Sequence, residues 1–86
     1  MLHIIQSALS RDAVKRLLTQ VHTDDAIVLM NDAVYLASQV VHCSSPCYHM
    51  LSDSQIRAAN VPNTILPIDM GGLVDLTEQH PCSASW

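Results

Sequence analysis

Two cysteines and two histidines fall within eight consecutive positions, in the stretch HCSSPCYH at residues 42–49. A zinc site needs four such ligands that converge on one point, normally from two short motifs separated by a spacer. Cys47 and His49 share one face of a predicted strand, whereas His42 and Cys43 lie at a predicted helix end, across a turn at Pro46. The spacing therefore argues against a metal site and leaves Cys43 and Cys47 as candidate sulfur-handling residues.

The same two cysteines can form a disulfide or a redox couple only if a turn brings their Cα atoms within about 7 Å. Their spacing is Cys-x-x-x-Cys, not the Cys-x-x-Cys of redox motifs. The interpretation that we favour makes Cys47 a small buried side chain at the start of a strand and Cys43 a loop thiol. The odd total of three cysteines suits a reducing cytoplasm, because it cannot complete a disulfide framework.

The rest of the sequence contains no recognisable catalytic set. Asp24 and Asp25 precede a strand, where a solvated turn is expected, and Asn31 with Asp32 is explained by helix capping. The pair Gly71-Gly72 permits close approach of an anion or another chain but is a weak signal alone. Gly-x-Ser-x-Gly and phosphate-binding motifs are absent. The sequence thus predicts no catalytic residue, no cofactor and no metal.

Composition limits the functions that 86 residues can carry. Such a chain forms one domain, residues 1–86, with a marginal core. Hydrophobic residues make up 49% and charged residues only 14%, too few to cover the surface, which is a first sign of an oligomer. The net charge of −4 argues against direct nucleic-acid binding. Without a signal peptide or an apolar run of about 20 residues, we expect a cytoplasmic protein that does not enter membranes.

Short apolar runs alternate with helical patterns four times along the chain. The predicted strands cover residues 2–5, 26–30, 47–51 and 64–68. The predicted helices cover residues 10–21, 31–41, 52–60 and 69–80, with Ser10, Asn31, Ser52 and Asp69 as their capping residues. This alternation predicts an α/β fold, a small three-layer structure with about four parallel strands and flanking helices.

The strand sequences also predict the edges of the sheet. Pro67 lies inside the fourth strand and has no N–H for a sheet hydrogen bond, which places that strand at an edge. With a strand order of 2-1-3-4, the second strand, residues 26–30, forms the other edge. Its sequence AIVLM is apolar throughout, and an exposed edge of this kind readily pairs with another chain. We therefore expect a partner or a second copy of the chain to cover it.

Several segments of the chain resemble the DsrH/TusB family. That family begins Met-Leu-His, as residues 1–3 do, and LMNDAVY at 29–35 is similar to its apolar strand followed by Gln-Asp-Gly-Val. The segments ILPID at 65–69 and LVDLTEQHP at 73–81, with the terminal Trp86, are similar to its last strand, last helix and closing tryptophan. The resemblance extends over nearly the whole chain, in the same order.

This resemblance implies a DsrE/DsrF/DsrH-like fold with flavodoxin-like topology and a place in a cytoplasmic sulfur relay. In that family the protein forms a heterohexamer with TusC/DsrF-like and TusD/DsrE-like subunits. The complex passes persulfide sulfur from TusA-like to TusE-like carriers, for 2-thiolation of the tRNA wobble uridine, and the Dsr version serves sulfur oxidation. The sulfur-accepting cysteine belongs to the TusD/DsrE subunit, and the corresponding residues 51–54 here, LSDS, contain no thiol.

The resulting hypothesis is a non-catalytic, accessory subunit that positions a partner's cysteine for persulfide transfer in tRNA thiolation. Tyr35 and Trp86 are the predicted interface residues, because large aromatic side chains are frequent interface anchors. Two alternatives stay open: an active persulfide carrier that uses Cys43 or Cys47, and a homo-oligomeric binding module unrelated to sulfur transfer.

Overall fold

The computed structural model describes the whole chain, from Met1 to Trp86. Its strands are β1 (Leu2–Ile5), β2 (Ala26–Leu29), β3 (Cys47–Met50), β4 (Leu66–Ile68) and β5 (Ser83–Ser85). Its α-helices are α1 (Arg11–Gln20), α2 (Ala37–Val40), α3 (Leu51–Ile56) and α4 (Met70–Gln79), and a 3₁₀ helix (Asn31–Leu36) leads into α2. None of these helices is both long and apolar enough to cross a membrane. The α/β class is confirmed, with a fifth strand that was not predicted.

Two of the four predicted helix caps form. The Ser10 hydroxyl accepts a hydrogen bond from the Ala13 N–H at 3.2 Å, which satisfies a free donor at the start of α1. The Asp69 carboxylate accepts from the Gly72 N–H at 2.9 Å and begins α4 in the same way. At both helices, local sequence alone is enough to determine where the helix begins.

The caps predicted at Asn31 and Ser52 are wrong. Asn31 is itself the first residue of the 3₁₀ helix, with φ of 52°, a left-handed conformation that asparagine tolerates. The chain passes from β3 into α3 without a loop, so that Met50 is the N-cap residue and Ser52 lies inside the first turn. The helix is short and ends at Ile56, and the turn after it contains Ala58 with φ of 49°.

All five strands are parallel, in the order β4-β3-β2-β1-β5. The expected order 2-1-3-4 is therefore wrong, because the outer side of β1 is occupied by β5 and β3 pairs with β2 instead. The prediction that β2 is an exposed apolar edge is wrong for the same reason. The edges are β4, as Pro67 predicts, and the three-residue β5, whose sequence is Ser-Ala-Ser.

Helices cover both faces of this sheet. On the first face, Ile5, Ile27, Leu29 and Cys47 pack with buried residues of α1, the 3₁₀ helix and α2. On the second face, Leu2, Ala26, Val28 and Met50 pack against Leu76 of α4. The chain moves in one direction across the sheet from β1 to β4. It then returns through α4, over the opposite face, to β5 at the other edge. Because both the direction and the face change, all crossovers have the same hand. The expected three-layer α/β architecture is confirmed and is compatible with a flavodoxin-like fold, although the strand order differs from the 2-1-3-4-5 of flavodoxin and the chain's last strand supplies the edge beside β1.

The central position of β2 predicts how strongly its side chains contribute to stability. Ile27 is 0% exposed, and Ile27→Ala is expected to lower the free energy of unfolding by about 2–5 kcal/mol, because it removes packed atoms and leaves a cavity. The matched change Ile56→Ala, at a side chain that is 79% exposed, is expected to alter it by no more than about 0.5 kcal/mol. Urea unfolding followed by circular dichroism measures both, and similar losses in the two variants would contradict a central β2.

Candidate functional site

The four candidate ligands of the stretch at residues 42–49 do not come together. Cys47 and His49 are buried on the first face of β3, Cys43 is partly buried in the preceding loop and His42 is exposed. No group of three or more histidine, cysteine, aspartate or glutamate side chains in the chain could hold a metal ion. The three cysteines are free thiols.

The environment of Cys47 keeps its thiol protonated. Its Sγ–H points to backbone carbonyls, 3.4 Å from Ser45 O and 3.9 Å from Val40 O. Burial, with a smaller contribution from the neighbouring Cys43 thiol, raises the pKa of Cys47 to about 12. Since the thiolate is the nucleophile in persulfide chemistry, this site suppresses the reactive form. A sulfur-handling role for Cys43 or Cys47 stays a prediction.

A charged cluster at the amino-terminal edge of the sheet is centred on Asp25. Its carboxylate accepts hydrogen bonds from the Met1 amine at 2.8 Å, from His3 Nε2 at 2.9 Å and from the His22 N–H at 3.1 Å. These contacts, the amine first, hold the pKa of Asp25 well below its usual range. The expected solvated turn is found for Asp24, which is exposed, and is wrong for Asp25, which is buried.

Trp86 extends this cluster to the end of the chain. Its Nε1–H donates to Nδ1 of His3 at 3.3 Å, and the two ring centroids lie 6.2 Å apart. His3 Nδ1 is therefore the unprotonated nitrogen, and Nε2–H donates to Asp25. Trp86 is thus partly buried against its own domain. Tyr35 is 54% exposed, and its hydroxyl donates to Arg57 O at 3.3 Å. A role for these two aromatic residues at an interface stays a prediction.

A second polar site lies where β3 ends and α3 begins. His49 is 5% exposed and Ser54 is 6% exposed, and His49 Nδ1 lies 2.6 Å from Ser54 Oγ. The Ser54 hydroxyl also lies 3.3 Å from Met50 O, and when it donates there its oxygen accepts from Nδ1–H and leaves Nε2 of His49 unprotonated. Burial lowers the pKa of His49, which keeps the ring neutral at pH 7.

His49 lines a cavity of about 380 Å³ at this end of the sheet. The other lining residues are Leu51, Ser54, Gln55, Ala58, Ala59 and Val61. The cavity lies at the carboxyl end of β3, the edge at which ligands of open α/β sheets bind, although the strand order reverses elsewhere, between β1 and β5. Arg57 holds α3 to the 3₁₀ helix through Asp32 at 2.8 Å, and the Asp53 carboxylate accepts from the Asn31 N–H at 2.9 Å.

Sequence reasoning missed the pairing of His49 with Ser54. His49 was considered only as a metal ligand, and Ser54 only as part of a predicted capping segment. The pairing exists because β3 passes into α3 without a loop. This places His49, near the end of β3, against Ser54, the fourth residue of α3. The five-residue spacing from His49 to Ser54 is the only local sign of it.

The fold and this site define the class of protein as a small, open, parallel α/β domain whose carboxyl edge carries a buried, neutral histidine. A family model described as DsrH like protein matches residues 6–83, and the chain belongs to this family. The resemblance to the DsrH/TusB family is thereby confirmed, although the matched range excludes the opening Met-Leu-His and Trp86. No curated protein matches the chain.

The different surroundings of the three cysteines predict different rates of alkylation. At pH 8, Cys47 is expected to react with iodoacetamide on the order of 10³-fold more slowly than a thiol of ordinary pKa near 8.5, because so little thiolate is present. Exposed Cys82 should be modified first. Peptide mass spectrometry of native and urea-unfolded chain measures this, and equal labelling of Cys47 and Cys82 in the native chain would contradict the burial of Cys47.

The cluster at Asp25 predicts a dependence of stability on pH. Because the pKa of Asp25 is lower in the folded than in the unfolded chain, its contribution is present above about pH 4 and is lost as the pH falls further. Asp25→Asn should therefore lower the free energy of unfolding at pH 7 and flatten its decrease below pH 4. Urea unfolding between pH 7 and pH 2.5 measures the effect, with Asp24→Asn as the control. Parallel profiles for the wild type and Asp25→Asn would contradict it.

Proposed function

We propose that this chain is an accessory subunit of a sulfur-relay complex that carries no sulfur on its own thiols and supports persulfide transfer between cysteines of other subunits. Its membership of the DsrH-like family, over residues 6–83, is the observation that carries the proposal. The raised pKa of Cys47 supports this accessory role, because a protonated thiol does not attack a persulfide.

The partners are DsrE-like and DsrF-like subunits, and the complex is a heterohexamer. Exposed apolar side chains on β4 and α4 support assembly with other chains: Leu66 is 54% exposed, Met70 is 63% exposed and Val74 is 50% exposed. These residues, and not the centrally placed β2, contribute apolar surface that is available to a partner. Tyr35 is a further contact residue, since an exposed aromatic ring contributes large area to an interface.

The pathway that we propose is cytoplasmic 2-thiolation of the tRNA wobble uridine, with sulfur arriving from a TusA-like carrier and leaving on a TusE-like carrier. The net charge of −4 supports an indirect role, because a surface that contacts tRNA needs positive charge to replace counterions. Sulfur therefore reaches the tRNA on another protein.

The proposal is tested in a strain from which the gene for this chain is deleted and in which the genes for the DsrE-like and DsrF-like subunits are kept. Loss of the chain should abolish 2-thiouridine, measured by mass spectrometry of tRNA nucleosides. Complementation with the combined changes Cys43→Ser, Cys47→Ala and Cys82→Ser should restore the wild-type level, because no thiol of this subunit takes part. Co-purification of the three subunits should also be unchanged.

Each other outcome overturns a defined part of the proposal. Failure to co-purify contradicts the complex. A complex that forms while tRNA thiolation is unaffected by loss of the chain contradicts the tRNA pathway. A cysteine-free variant that assembles normally but leaves tRNA unthiolated, with cyanide-labile sulfur on the wild-type chain, contradicts the accessory role and shows that the chain carries sulfur itself.

A further inference from the structure

His49 combines deep burial with a free polar atom. The side chain is 5% exposed, and its Nδ1 is occupied by Ser54 Oγ at 2.6 Å. Nε2 has no hydrogen-bond partner in the protein, yet it is not sealed from solvent, because no fully buried side-chain nitrogen or oxygen lacks a partner. Buried polar groups are normally paired, so a free ring nitrogen at the wall of a cavity points to a ligand.

Ser54 determines which proton-transfer role this nitrogen can take. When the Ser54 hydroxyl donates to Met50 O, 3.3 Å away, its oxygen receives the Nδ1–H of His49. In that tautomer Nε2, which has no protein partner, carries a free lone pair on a residue that lines the cavity. A base held in one tautomer by a third group is the arrangement that activates nucleophiles in enzymes. The site can accept a proton from a ligand, but the neutral ring has no proton to donate at Nε2.

The rest of the cavity favours an uncharged ligand. Leu51, Ala58, Ala59 and Val61 supply apolar walls, and no charged side chain lines the cavity. The charged residues of the adjoining elements pair with one another, since Arg57 lies 2.8 Å from Asp32 and 3.7 Å from Asp53. An anion would therefore find no cation here. A thiol is a weak hydrogen-bond donor with apolar character and suits both features.

We propose that this cavity receives the cysteine thiol of a partner protein and that Nε2 of His49 acts as the general base for it. The inference rests on the proposed function in the sulfur relay, in which a cysteine must become a nucleophile. A volume of about 380 Å³ is within the range of ligand cavities and accommodates a cysteine with a neighbouring side chain of its loop.

The proposed step conserves atoms and electrons. The acceptor thiol, R–SH, loses its proton to Nε2, and its sulfur attacks the terminal sulfur of a donor persulfide, R′–S–SH. A new R–S bond to that sulfur forms while the R′–S bond to it breaks, and the electron pair leaves on R′–S⁻. This thiolate takes the proton back from His49. The products are R–S–SH and R′–SH, and no external oxidant or reductant is needed.

The test is single-turnover sulfur transfer in the reconstituted complex, with a persulfide-loaded donor subunit and a TusE-like acceptor followed by mass spectrometry. His49→Asn keeps an amide N–H for Ser54 and removes Nε2, and it is expected to slow transfer by at least about 10²-fold without loss of assembly. Burial lowers the pKa of His49, so the wild-type rate should fall only at a pH below the ordinary histidine value of about 6.5. In His49→Asn the rate should instead follow the free thiolate of the acceptor and rise about tenfold per pH unit up to a thiol pKa near 8.5. Ser54→Ala should lose less rate and keep the wild-type pH dependence.

The control is His42→Asn, the same change at an exposed histidine outside the cavity, which should transfer sulfur at the wild-type rate. If the wild-type complex transfers sulfur and an assembled His49→Asn complex does so equally well, the inference is wrong and the proposed function stands. If the wild-type complex forms but transfers no sulfur, the proposed function fails. If His49→Asn slows transfer to dithiothreitol as much as it slows transfer to the TusE-like acceptor, the cavity binds small free thiols and the proposal of a protein cysteine is wrong.

A second measurement does not depend on the relay. Nitrogen NMR of the histidine rings in the isolated chain should show His49 as the Nδ1–H tautomer with an unprotonated Nε2 at pH 7. The Nε2–H tautomer would overturn the assignment as a general base, whatever the complex does.

Discussion

Two backbone hydrogen bonds join Trp86, which follows β5, to the end of β1. The Trp86 N–H donates to Ile4 O at 2.8 Å, and the Trp86 carbonyl accepts from the Gln6 N–H at 3.1 Å. This pairing of the last strand with the first makes β1 an internal strand. The only edge left for β3 is then that of β2, which becomes the centre of the sheet and is apolar on both faces. The positions of every helix and of the cavity follow from that strand order.

The same pairing explains why a carboxylate is buried beside the first strand. Asp25 lies just before β2, at the edge where the Met1 amine and the His3 ring are held by the sheet register. Removal of such a charge from water is costly, and three hydrogen bonds, one of them from a cation, offset the cost. His3 also accepts from Trp86, so one network joins the two ends of the chain.

Local sequence signals were sufficient to predict much of the fold. They failed where the structure depends on contacts between residues that are far apart in the sequence. Four strands, the caps at Ser10 and Asp69 and the edge position of Pro67 follow from hydrophobic runs and backbone chemistry. The strand β5 has no such signal, because Ser-Ala-Ser is neither apolar nor β-branched, and without it the strand order is wrong. The burial of Asp25 depends on partners 22 and 24 residues away, and the pairing of His49 with Ser54 depends on a loop-free junction.

Cys47 and His49 lie on the same strand, but the neighbouring helices bury them differently. This difference in burial, more than the difference in residue type, determines which of the two side chains is available for chemistry. They point to the same face of one strand, about 7 Å apart along it. Cys47 lies in the core cluster with residues of α1 and α2, where burial favours the neutral thiol. His49 lies at the end of the strand, where the chain turns into α3 and the ring borders a cavity. Cys47 is thus buried in the core, whereas the side chain of β3 that lines a cavity and has a ring nitrogen without a protein partner is a histidine.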